Sequence, residues 1–217
     1  MKIKSKFMLL ALALSLSAAI PVHAEEAQSE ASLTPGSLSA TLNQINFNSS
    51  IINLNKEVEL TAAVENFFTD GRGKGDGWSA SLSVTNFTST AVQDRTNSEA
   101  GATFHVEFPG SSVKLDNWYV SRAADVGQKE DSVYGPKSAS DSTIPLGFSP
   151  TRIITAAPGF GMGRYVQGAN FTLSIPTVGV ISNVSNPTTS KYKVGQNIGL
   201  PMGTYTSTFT YTISSGI

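Results

Sequence analysis

Two cations, Arg72 and Lys74, stand among alternating glycines in the run Asp70-Gly71-Arg72-Gly73-Lys74-Gly75-Asp76-Gly77-Trp78. Arg offers a planar fork of donors and Lys a compact point charge, so both suit carboxylate or phosphate groups. Trp78 closes the run, and a second aromatic pair, Trp118-Tyr119, follows later in the chain. Exposed rings of this kind stack on the apolar faces of sugars. Arg72, Lys74, Trp78, Trp118 and Tyr119 are therefore the candidate ligand contacts. Each also has a plain structural reading. Turn charges are commonly solvated, and Trp is highly buried on average. Trp78 lies in register with Ala80, Leu82 and Val84, which favours the core, whereas Trp118 alternates with Lys114, Asp116 and Val120.

Other chemistry finds less support. A phosphate-cradling loop needs Gly-x-x-x-x-Gly-Lys-Ser/Thr before a helix, and here an alternating, strand-like segment follows. A calcium loop needs oxygen ligands where Arg72 and Lys74 stand. The chain contains no Cys, and past the N-terminal leader it keeps a single histidine, His105. Neither a nucleophilic triad nor a histidine-rich metal site can be assembled from that inventory. Paired carboxylates could serve a glycosidase, but Asp125, Glu130 and Asp131 fall in polar, solvated sequence. A non-enzymatic protein without cofactor or metal is expected.

The N-terminus reads as an export signal. Lys2, Lys4 and Lys6 precede an apolar stretch from Phe7 to Ile20, and Val22-His23-Ala24 supplies small residues for cleavage. Removal of residues 1–24 takes away three lysines, leaving twelve basic residues against sixteen acidic. The resulting charge of −4 disfavours nucleic acid and anionic lipid as partners. No transmembrane segment is expected after cleavage. Residues 25–36 are small, polar and acidic, and read as a disordered leader. The remainder, 37–217, is long enough for one domain with a substantial core.

That domain reads as all-β. Period-2 alternation recurs at Leu38–Leu42, Val58–Val64, Trp78–Val84, Ala102–Phe108, Ala169–Ile175 and Tyr205–Ile213, with Gly, Pro, Ser and Asn clusters between. A single β-sandwich or barrel-like domain is expected, with the glycine run as a flexible hairpin tip. Between Ser121 and Gly163 repeated Pro and Gly weaken the pattern, predicting a long irregular insertion with one short strand near Ile153–Ala157. Leu200-Pro201-Met202-Gly203-Thr204 looks like a sortase signal with its last two residues reversed, but a Thr-rich strand follows it.

Two blocks together resemble the WxL-type cell-wall-binding surface domain of Gram-positive bacteria. The first is Asp70, Arg72, Gly73, Gly75, Gly77 and Trp78, leading into a strand with Leu82. The second is Gly203-Thr204-Tyr205 followed by Tyr211-x-Ile213, where the family carries Trp-x-Leu. The resemblance implies a secreted, cell-surface protein held non-covalently on the cell wall. Its implied ligand is peptidoglycan, with a membrane-anchored companion surface protein as a further partner. From the residues alone a second reading stays open, a structural subunit of a surface fibre or coat built by strand exchange; the resemblance itself leaves a third, a binder of a companion surface protein.

Overall fold

The computed structural model describes residues 34–48, 50 and 55–216. The expected signal peptide and nearly all of the expected leader lie outside these residues.

Antiparallel strands account for nearly all of the regular structure, with one short 3₁₀ helix at Gly110–Ser112. In chain order they are β1 (Leu38–Thr41), β2 (Val58–Asp70), β3 (Trp78–Val84), β4 (Phe87–Ser89), β5 (Val92–Gln93), β6 (Thr103–Phe108), β7 (Val113–Gly127) and β8 (Lys137–Ser138). They continue as β9 (Ile144–Pro145), β10 (Thr151–Ala156), β11 (Gly163–Ile175), β12 (Val178–Val184), β13 (Asn197–Gly199), β14 (Tyr205–Thr206) and β15 (Phe209–Ser215). Among the described residues no helix is long and apolar enough to cross a membrane.

Three sheets form. The first runs β1-β2-β11-β7-β9, the second β15-β3-β10-β8, and the third β13-β12-β6-β4-β14 with β5 on β6. The first sheet is built on an uninterrupted ladder from Val58↔Ile175 to Asp70↔Gly163. Alternation fixes its register, because a slip of one residue would turn Phe68, Phe171 and Leu173 out to water. The first and second sheets pack face to face through aromatic contacts. Phe68 stacks on Trp78 at 5.8 Å, Tyr165 meets Trp78 at 6.3 Å, and Phe171 meets Phe209 edge-on at 5.8 Å. An all-β, sandwich-like domain results, as the alternation predicts.

The second and third sheets share two interrupted strands. β3 and β4 are separated by Thr85 and Asn86, and β14 and β15 by Ser207 and Thr208. Hydroxyls close the break: Ser207 Oγ donates to the Thr85 carbonyl at 2.7 Å, and Thr85 Oγ1 accepts from Thr208 N at 2.9 Å. Strands that bend at such a corner pass from one sheet to another while keeping their backbone groups paired. This arrangement explains why Thr and Ser are tolerated along these strands: they serve both the polar face and the bend.

The segment from Ser121 to Gly163 is more regular than its sequence suggests. β7 extends to Gly127, and β10 is an internal strand between β3 and β8. Ile153, Ile154 and Ala156 are fully buried there. A register shift between Arg152 and Ile154 breaks strict alternation, letting two consecutive isoleucines face the core. Single-sequence periodicity cannot register such a bulge.

Candidate functional site

The glycine run is not a hairpin tip. β2 belongs to the first sheet and β3 to the second, so residues 71–77 form a corner that carries the chain across the sandwich. Gly73, Gly75 and Gly77 have φ of 70°, 66° and 72°, a conformation costly for any residue with a Cβ. At Gly77 space forbids a side chain as well, since an added Cβ would lie 2.5 Å from the Ala156 carbonyl oxygen. Gly75 is tied down too, its carbonyl accepting from Gly159 N at 2.7 Å. The same glycine spacing that suggests a mobile tip therefore serves a close backbone crossing.

Arg72 is committed to this corner rather than to a ligand. Its Nε and Nη2 donate to Asp70 Oδ1 and Oδ2 at 2.9 and 2.8 Å, a two-point fork. Nη2 also reaches the Gly77 carbonyl at 3.0 Å, and Nη1 donates to Ser215 Oγ. The Asp70 side chain is fully buried and that of Arg72 is 14% exposed. Burial alone would raise the Asp70 pKa, but the Arg72 hydrogen bonds and charge outweigh it and hold the carboxyl below its ordinary value. Arg72 is shifted upward by the same pair. As a wall contact Arg72 is thus corrected to an internal strut. It links the end of β2, the corner and the end of β15.

Trp78 is corrected likewise. It has no exposed surface, sits between Phe68 and Tyr165, and donates from Nε1 to the Gly161 carbonyl at 3.0 Å. A sugar cannot reach it. Its indole instead anchors the loop before β11 to the core, which satisfies the one polar atom of a buried Trp.

The last block lies against the first. β15 pairs with β3 in the register Tyr211↔Leu82, Ile213↔Ala80 and Ser215↔Trp78, and Gly216 N donates to the Gly77 carbonyl at 3.2 Å. Tyr211 points inward, where Asn66 Nδ2 donates to its hydroxyl at 3.1 Å, and burial raises its pKa. Tyr205 donates to the Pro201 carbonyl at 3.1 Å, and burial pushes its pKa up to about 12. Gly203, Thr204 and Tyr205 border a cleft of about 570 Å³ floored by Phe47, Phe87 and Phe108. Tyr205, Tyr211 and Ile213 thus pack against the core, whereas Gly203 and Thr204 stay exposed at the rim of the cleft.

Tyr119 and Lys74 remain open to solvent. The ring of Tyr119 lies over Gly168, whose added Cβ would fall 2.3 to 2.8 Å from three ring atoms. Its hydroxyl donates to Glu65 Oε1 at 2.5 Å. That hydrogen bond, then partial burial and the carboxylate's charge, raise its pKa. With the ring still 39% exposed, it forms a small platform on the outer face of the first sheet. Trp118 sits at a register shift, because Ala169 opposes Asn117 while Gly168 opposes Tyr119. This bulge breaks the alternation with Lys114 and Asp116 on which its expected exposure rests; only its backbone is described.

Of the acidic candidates, Glu130 and Asp131 are engaged with the backbone. Glu130 Oε2 accepts from Arg122 N at 3.1 Å, and Asp131 Oδ1 accepts from Val133 N and Tyr134 N, both at 2.8 Å. His105 Nδ1 lies 2.9 Å from the Ser89 carbonyl. Among the described residues no group of three or more acidic, His or Cys side chains could hold a metal ion. An exposed aromatic that the sequence reading passes over is Tyr134, stacked on Phe160 at 4.7 Å. Its place in irregular sequence gives no periodicity to reveal it. Comparison with protein-family models, with curated proteins and with solved structures finds no match for this chain.

Proposed function

We propose that the chain is a secreted surface protein whose β-domain attaches non-covalently to the cell wall, with peptidoglycan as its ligand. The observation that carries this reading is the meeting of the two blocks that resemble the WxL-type domain. They lie more than a hundred residues apart in the sequence, yet the Arg72 strut and the β3–β15 ladder join them. In this reading the blocks build the scaffold, and the ligand is met by exposed groups. Tyr119 is the contact from the original candidates best placed for it: a ring fixed on one face by Gly168 and open on the other can stack on a sugar without losing further side-chain freedom. Lys74 supplies a donor for wall carboxylates or phosphates.

Co-sedimentation with isolated peptidoglycan tests the reading. The purified chain is expected to pellet saturably and to be released by salt or by soluble wall fragments. Tyr119→Ala is expected to lower the apparent affinity roughly fivefold, the scale of one aromatic contact, with unchanged β-sheet circular dichroism. Pelleting no greater than that of an unrelated control protein would contradict it.

A further inference from the structure

Three loops meet at the corner between β2 and β3: residues 71–77, 128–136 and 157–162. Gly159 N donates to the Gly75 carbonyl at 2.7 Å, Gln128 Nε2 to the Gly159 carbonyl at 2.9 Å, and Ala157 N to the Tyr134 carbonyl at 2.8 Å. On this cluster the rings of Tyr134 and Phe160 stack with centroids 4.7 Å apart and planes 20° from parallel. Tyr134 nevertheless stays 52% exposed. Its backbone is fixed from below, because Asp131 Oδ1 caps both Val133 N and Tyr134 N, and Asp131 and Gly135 exchange backbone hydrogen bonds. An exposed ring held this firmly has already met much of the ordering cost of binding.

Charge on these loops and at the adjoining start of β8 narrows the ligand. Lys74, Lys129 and Lys137 are all exposed. The carboxylates of Glu130 and Asp131 are turned to backbone amides, which leaves Asp76 as the exposed acid of the group. An exposed aromatic face on a loop cluster that carries lysines suits a sugar ring that has an apolar face and carries a carboxylate. The outer face of Tyr134, with Phe160 stacked behind it, is the size of one sugar face, well below the roughly 800 Å² per side of a stable protein interface. We propose that the Tyr134–Phe160 pair is a saccharide platform that takes a hexosamine ring of an acidic glycan, the neighbouring lysines serving its carboxylate. The proposal rests on the wall-attachment reading and names stretches of glycan strand whose sugar carboxylates carry no peptide as what this end of the molecule grips.

The test is a titration of the ¹⁵N-labelled chain, followed by NMR, with the disaccharide of N-acetylglucosamine and N-acetylmuramic acid, beside the neutral N-acetylglucosamine dimer. Amides of residues 74–77, 133–137 and 158–162 are expected to shift with the acidic disaccharide. Tyr134→Ala should weaken binding roughly five- to tenfold and Tyr134→Phe by no more than about twofold, since the ring is what stacks. Unmoved amides, or undiminished binding by Tyr134→Ala in a folded variant, would overturn the platform. Equal affinity for the neutral dimer would overturn the assignment to an acidic glycan. Wall pelleting run alongside separates the two readings. Pelleting without disaccharide binding removes the platform and leaves wall attachment standing; disaccharide binding without pelleting does the reverse.

Discussion

Replacing Trp78 by alanine is expected to cost about 3–5 kcal/mol of stability, the range for removing a buried large aromatic. The side chain touches the first sheet through Phe68 and Tyr165, so its loss opens a void between the two facing layers. The Gly161 carbonyl also loses its indole donor, adding about 1 kcal/mol. For a domain of this size the melting temperature should fall by roughly 8–15 °C. Trp78→Phe keeps a ring against Phe68 but not the hydrogen bond, and should lose less than half as much. Thermal and urea unfolding followed by circular dichroism would read both. A Trp78→Ala variant that melts within about 2 °C of the parent, yet loses wall binding, would return Trp78 to the ligand surface.

The second large effect belongs to Arg72. Arg72→Ala leaves the Asp70 carboxylate buried without its counter-charge, a change that typically costs about 3–5 kcal/mol. The pH dependence carries a sign that a simple loss of packing would not. In the native chain the Asp70 pKa lies below its unfolded value near 3.8, so the pair's contribution is present above that value and fades as pH falls through the folded pKa. Without Arg72, burial dominates and the carboxyl pKa moves above its unfolded value. The variant then regains stability as pH falls from 7 towards 4, because a protonated Asp70 is cheaper to bury. Urea unfolding at pH 7 and pH 4 should show the gap between parent and variant narrowing on acidification. A gap independent of pH would mean that the ion pair contributes only packing.

The sheet strands were legible because their alternation is strong. Phe104, Val106 and Phe108, Ala169, Phe171 and Leu173, and Trp78 through Val84 face the core as their spacing requires. Partners distant in sequence were not legible. Arg72 and Asp70 are near neighbours, but Ser215 joins them from the far end of the chain, and no local pattern announces it. The glycine run misled for a related reason. A hairpin turn and a corner between sheets both demand positive φ, and only the pairing of β2 with β11 and of β3 with β15 separates them. Bulges hid the rest. One shifts the backbone register between Asn117 and Tyr119, and another turns Ile153 and Ile154 inward together. Tyr134 and Phe160 meet only through loop-to-loop hydrogen bonds, which residue type and spacing do not encode.

The joining of the two blocks supports both the scaffold and the proposed attachment, and a cross-link reports on it directly. The chain has no cysteine, so Ser81→Cys with Thr212→Cys introduces one possible disulfide without background. These residues face each other across β3 and β15, and directly opposed antiparallel residues have Cα atoms about 4.5–5.5 Å apart, inside the range a disulfide spans. Mild oxidation of the folded double variant should give near-complete intramolecular cross-linking, seen as faster migration on a non-reducing gel. Cross-linking no greater than in urea would place the final strand elsewhere, and the shared scaffold of the two blocks would be lost with it.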